Sequence, residues 1–503
     1  MSLGGLLFVM GSGLSLVALY TCGCILYNIF LHPLRNFPGP FCMRATRLAY
    51  CYKLMNGTLP FDMLAIHQKY GHVVRIAPDE LAFADHEAWK EIMGHRIKEN
   101  KRPEFEKSAH FYRPLGGPSS LVNCGREEHG ALRRLMSHGF SDRSLREQQP
   151  LITKYVDLLI QRLHENCHQP VDIMSWYNFT TFDVIGDLAF GEPFGCLDGS
   201  DYHPWVRTIF QMVKLGSVLQ VAAYFPLLRY VILRILSSKA IWARREEHTA
   251  MTREKLLRRM ELGASGGRPD LVKGLLQGQD SLGLSMDQVL KNSGLLIIGG
   301  SETTATLLSG VTFLFLTHPD TLRQLTEEVR TSFAREEDID FTSVNKLSYM
   351  IACLDEALRI YPPVPGGLPR VIPKGGSVVS GRFIPEKTIV AIHQWAMYHS
   401  KEHFKDPFEF RPERCMGDPE FAQDHRDAFQ PFHIGPRNCL GRNLAYVEMR
   451  IILARVIWNF DMTLANESRD WHARQKVYIL WDKGPLMVHL QPVARDQASE
   501  SID

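Results

Sequence analysis

Hydrophobic and polar positions divide this chain into an uncharged head, a long run of helical periods and a C-terminal quarter broken by glycine and proline. No charged residue occurs in residues 1–31, and residues 6–30 are dominated by Leu, Val, Ile, Phe, Tyr, Ala and Gly. Such a run spans a bilayer, which needs about 20 apolar residues. A cleaved signal peptide would carry a basic leader and an apolar core of roughly 7 to 15 residues. Neither is present, so a retained anchor is expected. Arg35, Arg44 and Arg47 follow the run and nothing basic precedes it, which puts the remainder of the chain in the cytosol. Residues 37–40, Phe-Pro-Gly-Pro, read as a stiff hinge. The expected organisation is an anchor at 1–31, a hinge at 32–41 and one globular domain at 42–503.

Within the globule the periods are mostly helical. Residues 72–77 alternate between Gly71 and Pro78 and predict a small β-sheet near the N-terminal side. Residues 103–123 carry Pro103, Pro114, Gly116, Gly117 and Pro118 and predict a long irregular loop, a kind that is usually functional or disordered. Residues 218–228 are apolar apart from Gln220, which suits either a core helix or a lip dipping into a membrane surface. Residues 263–267 form a flexible connector. Ser285 and Gln288 form a capping box that opens a helix running to Thr317, where His318-Pro319 ends it. Residues 295–298 are apolar on all sides, as in a buried helix. Gly299-Gly300-Ser301-Glu302-Thr303-Thr304 then contradicts that environment, and such a conflict marks a functional position. The glycines let the backbone open, while Thr303 can bond back to the carbonyl of Gly299 and distort the turn. Near the C-terminus Leu440, Leu444, Val447, Ile451, Ala454 and Trp458 define one buried helical face. The fold class is therefore mainly α with a small β region.

Composition removes some functions. The 503 residues carry 57 basic and 55 acidic side chains, so nothing attracts a polyanion such as nucleic acid. Ten cysteines show no C-x-x-C pair, which indicates free thiols in a reducing compartment.

The candidate chemistry lies in residues 432–441, Phe-His-Ile-Gly-Pro-Arg-Asn-Cys-Leu-Gly. Gly435 and Gly441 allow tight bends and close approach of a planar group. Cys439 sits just before a helix N-terminus, whose dipole lowers a cysteine's pKa, and reads as the thiolate ligand of a haem iron. Phe432, Gly435, Arg437, Cys439 and Gly441 together match the haem-binding signature of the cytochrome P450 family, which this chain resembles. The resemblance implies that Phe432 packs against the ligating sulfur and that Arg437 meets a haem propionate. It implies the same propionate role for His129 and Arg133, four apart on one helix face, and for Arg370. It makes 299–304 the oxygen-activation motif, with Thr303 as the hydroxyl and Glu302 as the proton-relaying acid. Glu356, Arg359 and Arg414 become a buried structural network, residues 363–368 a substrate-lining strand, and Lys483-Gly484-Pro485 a turn closing the pocket. The loop at 103–123 would cover the substrate.

The resemblance spans nearly the whole chain and implies a membrane-anchored haem-thiolate monooxygenase. Its cofactor would be heme b, its oxidant O2, and its electrons would come from NADPH through a reductase, since the chain has no G-x-G-x-x-G site. Arg126, Arg134, Arg426 and Arg442 are candidates for the reductase-docking face. The wording of residues 182–191 is similar to fungal members acting on secondary metabolites, so the expected substrate is a lipophilic small molecule. The expected location is the endoplasmic reticulum membrane, single-pass, with the catalytic domain facing the cytosol. Oxidative ring closure or coupling would use the same motifs. A haem-thiolate isomerase or dehydratase would not need the intact Glu302-Thr303 pair. A non-enzymatic tethered binding protein is the remaining alternative.

Overall fold

The computed structural model describes residues 3–95, 104–114, 116–225, 229–231, 234, 239–261 and 270–494. The connector at 263–267, Pro103 and the end of the 218–228 stretch at 226–228 lie outside them. The uncharged head forms the helix Leu3–Leu26, continued by a wider turn at Tyr27–Leu31. Among the described residues one helix, Gly11–Leu31, is long and apolar enough to cross a membrane, and that window is not buried.

The hinge does not stand free of the globule. Leu34 and Phe37 are buried, Arg75 donates its backbone N–H to the carbonyl of Pro38 at 2.7 Å, and the Arg382 guanidinium lies 4.7 Å from the Phe37 ring. The segment expected as a free hinge therefore packs against the globule through Leu34 and Phe37. The physical reason is apolar: Leu34 and Phe37 join the core that covers the sheet.

The predicted strand at 72–77 is present as Val73–Ala77 and pairs antiparallel with Glu80–Phe83. Among the described residues the sheet has five strands, adding Ile389–Ile392, Arg370–Val371 and Glu106–Lys107 in that order. In its register Lys107 lies opposite Arg370. Part of the 103–123 loop is thereby an edge strand, followed by a single helical turn at Ala109–Tyr112. A second sheet joins Val171–Asp172, Met487–Pro492 and Phe460–Leu464.

The central helix is Met286–Thr317, 32 residues and about 48 Å long. Ser285 accepts from the Gln288 N–H at 3.3 Å, and Gln288 Oε1 accepts from the Ser285 N–H at 2.9 Å, so the capping box is formed. The helix packs along Ile173–Phe190, whose side chains are almost all buried. A Cβ on Gly300 would lie 2.6 Å from Ile185 Cδ1. Gly300 is therefore explained by the close approach of these two helices, and the chain stays α-helical through the motif instead of opening. The helix Pro204–Tyr224 takes in most of the 218–228 stretch. There Leu219, Gln220, Val221 and Ala222 are buried, which makes the described part of that stretch core, not a membrane lip.

Glu356 and Arg359 lie on the helix Ser348–Ile360. Arg359 grips Glu356 with two bonds, 2.9 and 2.6 Å, and Arg414 reaches the same carboxylate at 3.2 Å. Arg359 also donates to the carbonyls of Tyr398, Pro407 and Glu409. Removing one partner from such a buried set leaves a charge unpaired, a cost of about 3–5 kcal/mol. Glu356→Gln should therefore lower the denaturation midpoint and the yield of folded protein; an unchanged midpoint in a urea titration would show that the network adds no stability.

Candidate functional site

The loop before the helix Arg442–Asn459 is shaped by its backbone. Gly435 has φ +78°, and a Cβ there would lie 2.0 Å from the carbonyl oxygen of Met93, so no other residue fits. His433 is also left-handed at φ +57°, and its buried ring lies edge-on to Trp89 at 4.9 Å. The Cys439 N–H donates to the Phe432 carbonyl at 2.8 Å, closing the loop on itself. Gly441 has an ordinary φ of −87°, and a Cβ there would only touch Phe140 at 3.7 Å. Its smallness opens the cavity wall rather than enabling a bend.

Cys439 faces two adjoining cavities that share Thr303, Thr304, Phe432, Cys439 and Ala445 in their linings. The open surface of this cysteine is thus turned to an internal space and not to bulk water. Burial pushes its thiol pKa up, with the Gly441 amide, Arg133 and Arg442 opposing. The expected depression by the helix N-terminus is outweighed, because desolvation disfavours the thiolate more strongly than these groups favour it. A metal cation at the sulfur reverses that order.

Across the cavity stands the central helix. Thr303 donates its hydroxyl to the Gly299 carbonyl at 2.7 Å, as expected, while its side chain remains open to the cavity. Gly299 has nothing within 4 Å of where a Cβ would be and also lines this space. Glu302 does not join Thr303 there. It is buried on another side of the helix, bonded to Lys483 at 2.5 Å and accepting from Thr306 at 3.3 Å. It lines a separate cavity with Tyr202, Lys214 and Trp481. Successive helical residues point about 100° apart, so adjacency in sequence separated the two groups. The turn at Lys483 likewise borders that side cavity and not the Cys439 space.

At one edge of the site positive charge collects. The pKa of His129 is pushed down to about 3 by burial and by Arg437, Lys107, Arg133 and Arg370, which places all five together. Arg437 is paired with Glu104 and donates to the Cys124 carbonyl at 3.0 Å. Arg370 lies 4.0 Å from the same carboxylate, and its Nη1 is buried with no hydrogen-bond partner. Arg133 is turned to the ligand loop, donating to the backbone and side-chain oxygens of Asn438 at 2.7 and 2.6 Å. Lys107 was not legible in the sequence. Burial, Arg370 and Arg437 push its pKa down to about 7, and among the described residues no carboxylate is within ion-pair reach of it. Glu448 was also missed, although an acid four residues after Leu444 interrupts the apolar face. It lines the second cavity, and burial raises its pKa to about 8.

These residues fit an iron porphyrin. A buried cationic cluster with one carboxylate is costly unless further anions neutralise it, and haem brings two carboxylates. Cys439 would supply the soft thiolate, Phe432 lines both cavities beside it, and the remaining lining is chiefly apolar. Residues 363–368 line the space through Pro363, Val364 and Leu368, but as irregular chain with one β-bridge at Gly367 instead of a strand.

Comparison with known proteins agrees with this geometry. The family described as Cytochrome P450 matches residues 43–490. The chain is 44% identical over 489 residues to "Cytochrome P450 monooxygenase prhB" of Penicillium brasilianum, covering 97% of this chain and 99% of that protein. It is 44% identical over 489 residues to "Trichothecene C-15 hydroxylase" of Fusarium sporotrichioides, covering 96% and 97%. With "Averantin hydroxylase" of Dothistroma septosporum it shares 42% over 487 residues, covering 96% and 91%.

Cys439→Ser tests the ligand directly. The variant should lose the red-shifted Soret band that a thiolate gives the ferrous carbon monoxide complex; a retained band would assign the iron ligand to another residue.

Proposed function

The chain belongs to the cytochrome P450 family, and from that membership we propose that it is a haem-thiolate monooxygenase oxidising a lipophilic small molecule of fungal secondary metabolism. The observation that carries this reading is the placing of Cys439 and Thr303 on one apolar cavity. Haem held by the Cys439 sulfur supplies the activation of O2, with electrons delivered from NADPH by a flavoprotein reductase. Arg370, Arg437, His129 and Lys107 would hold its two carboxylates, while Arg133 steadies the ligand loop through Asn438.

Thr303 is the proton-handling group within the cavity. Its own hydrogen is committed to the Gly299 carbonyl, so Oγ1 presents lone pairs to the cavity and accepts from water there. A hydroxyl fixed in this way orders the water that delivers a proton. Glu302 contributes from the side cavity, where Lys483 neutralises its carboxylate, and not by contact with the substrate space. Apolar walls from Leu121, Leu295, Leu296, Val364 and Leu368 favour a lipophilic substrate. The relatives named as trichothecene and averantin hydroxylases support hydroxylation over isomerisation or dehydration, neither of which needs Thr303.

The helix Gly11–Leu31 would anchor the protein in the endoplasmic reticulum membrane, with the domain on the cytosolic side. Arg126, Arg134, Arg426 and Arg442 are all exposed and would steer the reductase to the Cys439 side.

In Thr303→Ala the haem spectrum and the substrate-induced spectral shift should stay as they are, while product formation falls on the order of 10²–10⁴-fold. NADPH use should continue and hydrogen peroxide should accumulate. An unchanged ratio of product to NADPH consumed would remove Thr303 from the proton step. The anchor is tested by a deletion that spares Asn28, which bonds to the Ala45 carbonyl and accepts from Arg75, both at 2.8 Å. Removing residues 1–26 should move the protein from the membrane pellet to the supernatant with its Soret band intact; a truncated protein that still pellets would refute the anchor.

A further inference from the structure

The segment 363–368 has a second side. Val364 and Leu368 line the Cys439 cavity and also border a narrow outer pocket together with Gly366 and Gly367. The pocket lies between parts of the chain that are far apart in sequence. Tyr50 and Leu54 come from the helix Leu48–Met55, Phe111 from the 104–114 segment, Gln220 from the helix Pro204–Tyr224, and Tyr478 from near the C-terminus.

The wall is mixed in character, with Tyr50, Tyr478, His393 and Gln220 among apolar side chains. His393 is 3% exposed, and neither ring nitrogen has a hydrogen-bond partner; Gln220 is 2% exposed, and its Oε1 has none. Both are held in place. Gln220 donates its Nε2 to the Tyr224 hydroxyl at 3.3 Å, and Tyr224 is stacked on His110 at 5.0 Å with the Arg47 guanidinium 4.1 Å from its ring. Arg47 is in turn paired with buried Glu80 at 2.5 Å. His393 forms a β-bridge with Gly367, where a Cβ would lie 3.2 Å from His393 Nε2 and 2.9 Å from Ala391 Cβ. The glycine therefore leaves the imidazole facing the pocket.

The chemistry of the two groups selects the ligand. Burial, with His67 nearby, pushes the His393 pKa down to about 3, so the ring is neutral and offers one N–H and one lone pair. Gln220 Oε1 can only accept. A ketone or ether satisfies the imidazole N–H but leaves Gln220 unpaired. A hydroxyl donates to one group and accepts from the other. Leaving buried polar groups unpaired is what lets a site reject an analogue lacking the matching atom.

We infer that His393 and Gln220 are specificity-determining residues that bind a hydroxyl group already present on the lipophilic substrate, at a distance from the carbon that reacts. The inference rests on the monooxygenase reading, because it takes the outer pocket as part of the substrate's path to Cys439.

The test uses the haem-loaded full-length protein and imidazol-1-yl probes whose nitrogen binds iron and shifts the Soret band. Each probe has an alkyl tail of graded length ending in a methyl group, a methyl ether or an alcohol. At one tail length the alcohol should bind roughly two- to tenfold more tightly than the other two, the worth of one net hydrogen bond. That gap should close in His393→Phe and in Gln220→Leu, the second serving if the first does not load haem. The inference is overturned if no tail length favours the alcohol, as it would be if the two groups only bind water. An ether that matches the alcohol, or a preference that survives both substitutions, overturns it equally. Failure of the underlying reading looks different: no imidazole of any kind would then shift the spectrum.

Discussion

A sulfur that must be reachable from a cavity yet shut off from bulk water constrains nearly everything around it. The loop at 432–441 meets that demand with backbone alone, through the Cys439 to Phe432 hydrogen bond and the left-handed turn at Gly435 under the Met93 carbonyl. Arg133 then ties Asn438 from a helix some 300 residues earlier in the chain, as the sequence separation of 305 shows. Behind the loop, the second half of the helix Arg442–Asn459 is buried nearly all round, so the loop has a rigid base. The opposite wall must leave room, and Gly299 and Thr303 do so on a helix that remains regular.

Buried charge in this protein comes in two kinds, and the difference separates structure from function. Around Glu356 every charge is matched: Arg359 and Arg414 share the carboxylate, Asp424 pairs with Arg414, and spare donors reach backbone carbonyls. Such a network needs nothing from outside. Around Glu104 the charges are not matched, because Arg370, Arg437 and Lys107 converge with one carboxylate among them. An imbalance of that kind is relieved by an anionic ligand or, at Lys107, by loss of its proton. The Glu302–Lys483 pair matches one charge with one, although it lies on the helix that presents Thr303 to the Cys439 cavity one residue later.

The outer pocket extends this contrast from charge to neutral polarity. Buried hydroxyl, amide and imidazole groups elsewhere mostly bond to the chain, as Tyr177 does to Thr312 and Tyr398 to Gln430. His393 and Gln220 face a space instead, in a wall assembled from the helices Leu48–Met55 and Pro204–Tyr224, residues 364–368 and residues 478–479. The segment that follows the N-terminal helix and the outer pocket are therefore in contact through Arg47 and Tyr224.

Elements that depend on local chemistry were legible in the sequence: the uncharged head, the capping box at Ser285, the strand at 73–77, the acid–base spacing of Glu356 and Arg359, and the loop that presents Cys439. Each is set by periodicity, a turn residue or a spacing of three or four, which a chain carries within a few residues. What the tertiary structure alone decided are the pairings between segments that are not neighbours in sequence. Lys483 takes Glu302 away from Thr303, Lys107 enters the cationic edge by pairing its strand with Arg370, and His393 is turned to a pocket by a bridge to Gly367. Leu34 and Phe37 convert an apparent hinge into core. No local pattern encodes these outcomes, because a side chain's partner depends on which distant surface packing brings to it, and one helical step of about 100° is enough to send neighbours into different cavities.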